Sequence, residues 1–498
     1  MKTGTDLKNR RKADMTVCMV AEGCYPYVVG GVSSWIDSMI RTFPEYDFKV
    51  VAVLSDRSYR GKFAYELPEN LVSVTEVYLN DSDFTQATRN HRNRLRLSSK
   101  EKSALNALVS GDDDRWDDIF ELFKRKVSVN DLLMGEDFFN AVKRIYMKGS
   151  TDAVFTDFLW TMRSMYLPLF FALETELPEA DMYHCAATGY SGVIGAMAKY
   201  FYHCPLLVSE HGIYTREREE EIIRADWVKG GYKDIWIRQF RKMSQLAYDR
   251  ADLITSLYGY ARQLQLELGA PVDKTVVTPN GIDESKYVSI PGKPDEDRGF
   301  TVFGAILRIA PIKDVVTLIR AFSLAKRKRY DIKLYICGPW DEEAEYARSV
   351  FDMVKDMGLS DVVFTGRVNT PNYIGRMDCL VLTSISEGQP LTILEGFAAK
   401  KPCIATDVGD CRGLIYGEAG DRHGRAGIIT HIMHAEETAD AMVTIHDNRE
   451  AAEQMGENGY ERLMDGFRLD DMKARYAGIY GRFADDIRER RENGGNRD

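Results

Sequence analysis

The feature that most limits the fold of this chain is an almost unbroken alternation of short apolar, β-branched runs with amphipathic helical segments. Continuously apolar strands are buried on both faces, and a parallel neighbour is reached only through a helical crossover, so this alternation specifies an α/β architecture of βαβ units. Two series are visible. The first runs through MTVCMVA, FKVVAVL, LVSVTEVY, DMYHCAA, PLLVSEH, DLITSLY and KTVVTPN, with helical stretches such as GVSSWIDSMIRTF and YSGVIGAMAKYFYH between them. The second comprises TVFGAILRI, IKLYICG, DVVFTGR, DCLVLTS and PCIATDV. Each series predicts a doubly wound, Rossmann-like domain. Two domains also suit 498 residues, because a single hydrophobic core stops growing near about 250–300.

A flexible N-terminus is expected over residues 1–14, and a first domain over 15–287 with a helical insertion at about 81–150, where the rhythm gives way to a polar, charged helical pattern. Prolines, glycines and charges without periodicity at 288–299 read as a linker. A second domain is expected over 298–468, and a terminal helix over 469–490, with no strand after it, is expected to pack back on the first domain. The apolar window 153–173 contains Asp157 and Arg163, too polar for a membrane span, and reads as a buried helix. A net charge of -10 argues against a general nucleic-acid binder, which needs a cationic surface to displace counterions. Eight scattered cysteines without a CxxC pair read as buried thiols. The opening MKTGTDLKNRRKADM has no apolar secretory core, so a reducing, cytoplasmic location is expected.

Ligands of open α/β sheets bind beyond the carboxyl ends of the strands, and the informative motifs fall there. Directly after DCLVLTS comes SISEGQPLTILEG, in which seven residues separate Glu387 from Glu395. A helix beginning near Pro390 leaves Glu387 in the preceding loop and carries Glu395 inside, with unpaired backbone N–H groups between them. A phosphate can rest on that N-terminus while the flanking carboxylates accept hydrogen bonds from hydroxyls. Two glutamates so spaced on an ordinary surface helix would mean nothing. The strand, the Gly388-Gln389-Pro390 turn and the helix, in that order, give the pair its meaning.

Arg308 and Lys313 in AILRIAPIKDVV lie at the matching edge, where a planar fork and a point charge can grip a pyrophosphate. In the first domain, EGCYPYVVGGVSSW places Gly30-Gly31 at a helix start, a pattern that a tight turn explains equally well. His211 follows the strand PLLVSE, and the TPNGID stretch forms a turn at Asn280-Gly281. Neither a dinucleotide GxGxxG nor a phosphate-loop GxxxxGK[ST] pattern occurs, which counts against NAD-dependent and ATP-hydrolysing enzymes.

Together, Glu387 and Glu395, the Arg308/Lys313 pair, the Gly30-Gly31 loop, His211 and the PNGID turn resemble the GT-B retaining glycosyltransferases of family GT4, over roughly residues 15–480. AEGCYPYVVGGVSSW, SEHGIYTRERE and the charged insertion are similar, more narrowly, to the cytosolic transferases of Pel exopolysaccharide biosynthesis. The resemblance implies two domains facing a cleft and transfer of a hexose from a UDP-sugar to a glycan acceptor. Arg308 and Lys313 would stabilise the UDP leaving group, Glu387 would contact sugar hydroxyls beside Gly388, Gln389, Pro390 and Leu391, and Glu395 would hold the ribose. Thr365, Gly366, Arg367 and Val368 would lie by the uracil, Gly30 and Gly31 by the phosphates, and His211 near the anomeric carbon. No cofactor and no metal is implied. Inner-membrane Pel complex proteins are the implied partners, holding the protein peripherally at that membrane. UDP-glucose is the implied donor, with UDP-GalNAc and UDP-GlcNAc still open. Two other readings also stay open, a GT-B-shaped UDP-sugar 2-epimerase and a UDP-sugar-binding scaffold subunit.

Overall fold

The computed structural model describes residues 13–80, 95–111, 115–149 and 154–494. Most of the expected flexible N-terminus, part of the insertion and the acidic run Asp112-Asp113-Asp114 lie outside the described residues. The chain divides into two compact units. One holds the residues up to Ser256, Arg262–Val276 and those from Ile479 onward; the other holds Leu257–Ala261 and Val277–Gly478.

The first unit is built on seven strands: β1 (Thr16–Glu22), β2 (Asp47–Leu54), β3 (Leu71–Tyr78), β4 (Met182–Cys185), β5 (Leu206–Glu210), β6 (Leu253–Ser256) and β7 (Thr275–Val277). Their order is β3-β2-β1-β4-β5-β6-β7, with Val20 of β1 in parallel register with Val51 on one side and Cys185 on the other. The strand order reverses between β1 and β4, which makes the loop after β1 a topological switch point. The β3-to-β4 connection contains helices Ser99–Ser110, Trp116–Lys124, Val129–Leu133, Glu136–Lys148 and Phe155–Leu173. Their composition looks polar, yet each hides one stripe. Trp116, Ile119, Phe120 and Phe123 join Phe138, Tyr166 and Phe170 in the same core as the sheet. The Tyr166 hydroxyl, buried with them, donates to the Leu108 carbonyl at 2.8 Å. Among the described residues no helix is long and apolar enough to cross a membrane.

The terminal helix Leu469–Gly494 contributes its later turns to the first unit. Tyr480 is fully buried there, its hydroxyl 2.8 Å from His184 Nδ1 and its ring 5.0 Å from that of Phe43.

The second unit has β8 (Thr301–Ile306), β9 (Ile332–Cys337), β10 (Val362–Gly366), β11 (Cys379–Leu382), β12 (Cys403–Thr406) and β13 (Gly427–Thr430), ordered β10-β9-β8-β11-β12-β13. Sequence patterning anticipates five of these. β13 is only GIIT, too short to carry a period, and Gly427 packs so close to β12 that a Cβ would sit 1.9 Å from the Cys403 carbonyl oxygen. The division between units also falls earlier than the charged stretch at 288–299 suggests. Asp297 is fully buried, accepting from Lys333 Nζ at 2.7 Å and from the Tyr335 hydroxyl, and Ile282 bridges to Arg468. Asp297, which looks solvated in sequence, is here part of an internal ion pair of the second unit. All eight cysteines are free, and all but Cys24 are buried.

Candidate active site

In the second unit the strand order reverses between β8 and β11, so the loops leaving these two strands define its switch point. Past β8 the chain makes a 3-10 turn, Pro311–Lys313, before helix Val315–Lys328. Three bonds clamp this turn to the segment after β11: Ile385 N donates to Ile312 O at 2.9 Å, and Thr383 Oγ1 reaches the Lys313 and Asp314 carbonyls, each at 3.1 Å. The consequence is a close ion pair, Lys313 Nζ to Glu387 Oε1, at 2.5 Å. Ser384 Oγ donates to the same oxygen at 2.6 Å, and the two charged side chains are only 22% and 11% exposed.

Arg308 is held differently. Its Nη1 lies 2.6 Å from Glu342 Oε2, and Arg367 approaches Asp341 at 3.7 Å and Glu342 at 3.9 Å. Thus Lys313 is joined with Glu387, whereas Arg308 shares a carboxylate with Arg367. Thr365, Gly366 and Val368 flank that arginine at the end of β10, where Gly366 has φ +72° and accepts from Gly338 N at 2.9 Å.

Helix Leu391–Ala398 begins after Pro390 with no side-chain cap and no acidic residue in its first turn, so its N-terminal dipole is not countered from within the helix. The preceding turn is internally tied. Gly388 O accepts from Asp410 N at 2.9 Å, and the buried Gln389 side chain receives Asn280 N at 2.7 Å while donating to Asp410 Oδ2 at 2.7 Å and Leu257 O at 3.2 Å. The Gln389 amide is therefore occupied within the unit, and only its backbone faces remain for a ligand. Burial pushes the Asp410 carboxyl up to about 8, with Gln389 opposing. Glu395 sits one turn into the helix beside Tyr287, and burial raises its carboxyl to about 7 while Tyr287 opposes the rise.

In the first unit, Gly30 is extended and precedes helix Gly31–Thr42, which has no side-chain cap. A Cβ on Gly30 or Gly31 would meet nothing within 4 Å, so packing inside this unit does not require glycine at either position. His211 follows β5 with its Nε2 buried and without a hydrogen-bond partner. Its ring lies 4.3 Å from that of Trp35, and burial lowers its pKa to about 4, leaving the imidazole neutral near pH 7. Trp35 also meets His184, at 5.5 Å.

Residues 15–273, more than half of the chain, match the family model described as Domain of unknown function (DUF3492). The chain belongs to the DUF3492 family. Residues 289–462 of this DUF3492 protein match the Glycosyl transferases group 1 model. It is 29% identical over 217 residues to the D-inositol 3-phosphate glycosyltransferase of Pseudarthrobacter chlorophenolicus, which covers 41% of this chain and 50% of the relative. The enzyme of the same name from Paenarthrobacter aurescens is 27% identical over 282 residues, 53% of this chain and 64% of the relative. The chain thus spans about half to somewhat under two thirds of these relatives' length. Its fold, two parallel-sheet Rossmann-like units of the GT-B type, is similar to that of Anabaena HepE in complex with UDP-glucose, with a TM-score of 0.58 at 14% identity, covering 94% of this chain and 99% of the other. Sucrose-phosphate synthase from Thermosynechococcus elongatus gives a TM-score of 0.58 at 14% identity, over 94% and 98% of the two chains.

Several neighbours of the candidate residues in the DUF3492 protein have no signal in sequence. Tyr287 lies 108 positions before Glu395 in the chain, and no motif joins them. Trp35 is legible only as the last letter of GVSSW. Glu22 at the end of β1 accepts from Ser191 N at 3.1 Å; burial pushes its carboxyl up, opposed by Arg218 from the segment YTRERE.

The raised Glu395 carboxyl has a measurable consequence. Below about pH 7 it is largely neutral and above it largely charged, and a carboxylate accepts hydroxyl hydrogen bonds more strongly than a carboxylic acid. If Glu395 holds the ribose, UDP affinity is expected to rise through pH 7 in the wild type beyond any rise seen in Glu395→Gln. Glu395→Ala is expected to lose about tenfold or more at pH 8, the size of a charged hydrogen bond. Calorimetry with UDP checks both; equal affinity in wild type and Glu395→Ala removes Glu395 from the site.

Proposed function

We propose that this DUF3492 protein is a retaining glycosyltransferase that moves a hexose from a UDP-sugar to a growing exopolysaccharide. The observation that carries the reading is the Lys313–Glu387 pair, clamped beside an uncapped helix N-terminus at the switch point of the second sheet. This arrangement offers a cation and backbone dipoles to a diphosphate and a carboxylate to sugar hydroxyls. The named relatives are glycosyltransferases, and HepE was crystallised with UDP-glucose. No epimerase stands among the relatives named above, so the transferase reading is preferred to the 2-epimerase and to an inactive scaffold.

In this reading the bond between the anomeric carbon and the β-phosphate oxygen breaks, and the acceptor oxygen forms its bond on the same face. The acceptor proton passes to the departing phosphate. Lys313 and Arg308 stabilise the charge developing on that phosphate, and Gly30 with Gly31 lets the donor phosphates approach the backbone. Glu387 and the backbone of Gly388 to Leu391 orient the hexose, with neutral His211 near the anomeric carbon. Thr365 to Val368 receive the uracil. The step uses no metal and no cofactor. UDP-glucose is the favoured donor, ahead of UDP-GalNAc and UDP-GlcNAc. The likeness of whole segments to PelF assigns the product to Pel-type polysaccharide, with inner-membrane Pel proteins as partners of a cytoplasmic enzyme.

Incubation with a panel of UDP-sugars, scoring donor binding and UDP release, tests the reading; failure to bind any of them overturns it. A second expectation separates Glu387 from Glu395. Glu387→Ala is expected to weaken a UDP-sugar by about tenfold more than it weakens UDP, since its partner is the hexose. Equal losses for the two ligands in calorimetry would contradict that role.

A further inference from the structure

We infer that the first unit carries a second carbohydrate site, a tryptophan-lined groove that holds a neutral hexose or N-acetylhexosamine oligomer. Three of the chain's six tryptophans converge there. Trp160 projects from helix Phe155–Leu173, Trp227 from the connection between helices Tyr214–Arg224 and Gly230–Arg250, and Trp236 from the latter helix. With Asp157, Ser164 and Lys229 they line a cavity of about 220 Å³. None of these residues belongs to the donor site described above.

Trp236 is 7% exposed, as a core residue should be, but Trp160 and Trp227 are 54% and 67% exposed. Large indole surfaces left in water forgo the stabilisation of burial, and grouped exposed apolar side chains mark a binding surface. Nor do these rings hang free. Trp227 stands edge-on to Trp236 at 5.4 Å and 89°, and the Arg163 guanidinium covers one side of Trp160 at 5.0 Å. The platform is therefore preorganised, which lowers the ordering cost of binding.

The chemistry between the rings selects the ligand. Asp157 and Lys229 neutralise each other as an ion pair, and the Arg163 guanidinium is already engaged by the Trp160 ring and the Leu133 carbonyl, so the groove offers no free charge to an ionic ligand and favours a neutral guest. Ser164 and Thr161 are among the residues that line the cavity with the indoles. A pyranose presents an apolar C–H face and a ring of hydroxyls, and rigid aromatic faces alternating with hydrogen-bonding groups complement both. The cavity is below the roughly 300–1,000 Å³ of pockets for drug-sized ligands, which suits one sugar unit of a chain passing through. A protein-docking patch would instead be continuous and apolar at its centre. The role this site would serve, anchoring the acceptor chain, rests on the transferase reading; carbohydrate binding itself does not.

The test titrates the full chain with cellotetraose, maltotetraose and chitotetraose, followed by tryptophan fluorescence and calorimetry, with UDP affinity and thermal melting measured on the same samples. At least one oligosaccharide is expected to bind saturably. Trp227→Ala and Trp160→Ala are each expected to weaken it by roughly tenfold or more, as truncation of an interface tryptophan commonly does. Trp227→Phe should retain most of the affinity, and none of the three should change UDP binding or melting. Absence of saturable binding in the wild type overturns the proposal, as does binding unaffected by both alanine substitutions. Loss of a co-purifying protein in Trp227→Ala, without any oligosaccharide effect, also overturns it and makes the groove a protein interface. If the oligosaccharide result holds while no UDP-sugar binds, the transferase reading falls and the carbohydrate site stands.

Discussion

Lys313→Ala is expected to lower kcat by roughly a hundredfold or more, well beyond its effect on UDP-sugar affinity. The diphosphate of a bound donor is already charged, so removing a nearby cation costs some ground-state binding. In the proposed transfer, further negative charge develops on the β-phosphate as the glycosidic bond breaks. Preorganised donors are worth about 2.7–4 kcal/mol at that moment. Lys313 is preorganised, since the turn that carries it is bonded to Thr383 and Ile385 rather than left to solvent. Its pairing with Glu387 adds a complication that a double variant resolves. In Lys313→Ala the Glu387 carboxylate keeps the Ser384 hydroxyl as a hydrogen-bond donor but loses its cation, and would repel an arriving diphosphate. Lys313→Ala/Glu387→Ala is therefore expected to recover part of the lost donor affinity without recovering turnover. Arg308→Ala, half-exposed and paired with Glu342, serves as the comparison for leaving-group stabilisation from the other edge. The measurements are kcat at saturating donor with a competent acceptor, and donor affinity by calorimetry. Weaker binding with wild-type turnover would reduce Lys313 to a docking contact.

Gly409→Ala is expected to destabilise the second unit by about 2–4 kcal/mol, lowering its melting temperature by roughly 5–15 °C, and to impair turnover as well. Gly409 has φ +53°, where a Cβ costs about 1–2 kcal/mol by itself. Here the Cβ would also sit 2.3 Å from the carbonyl oxygens of both Glu387 and Gly388. These are backbone atoms, so no rotamer change relieves the clash; the loop itself must move. Any such shift draws Glu387 away from Lys313, which is why stability and activity should fall together. Hydrogen exchange localised to residues 384–410 and a melting curve check the first part, and kcat the second. Gly30→Ala supplies the contrast: its backbone is extended and a Cβ there meets open space, so its melting temperature should equal that of the wild type. An unchanged melting curve for Gly409→Ala would show that the loop after β11 is not packed as described.

The order of strands and helices was legible in the sequence because periodicity is a local property. Each of the first twelve strands, from MTVCMVA to PCIATDV, announces itself by an apolar run that its own residues create. The positions of Lys313, Glu387 and Glu395 relative to strand ends were legible for the same reason: a motif following a strand lies at that strand's carboxyl edge whatever the rest of the chain does. Partnership was not legible, because it depends on contacts between segments far apart in the chain. Lys313 could have met either carboxylate of the motif, and Arg308 was expected beside it; the clamp between Ile385 and Ile312 selects Glu387 for one, and the loop after β9 offers Glu342 to the other. Likewise Asp297, in a stretch that reads as a solvated linker, is buried against Lys333 and Tyr335. The raised carboxyl of Glu395 exists only because the fold buries it, by more than the neighbouring Tyr287 offsets. Sequence by itself determined where chemistry-bearing side chains emerge from the two sheets. Tertiary structure decided which of them touch and which lose water, since ion pairing and desolvation depend on distances that local sequence does not encode.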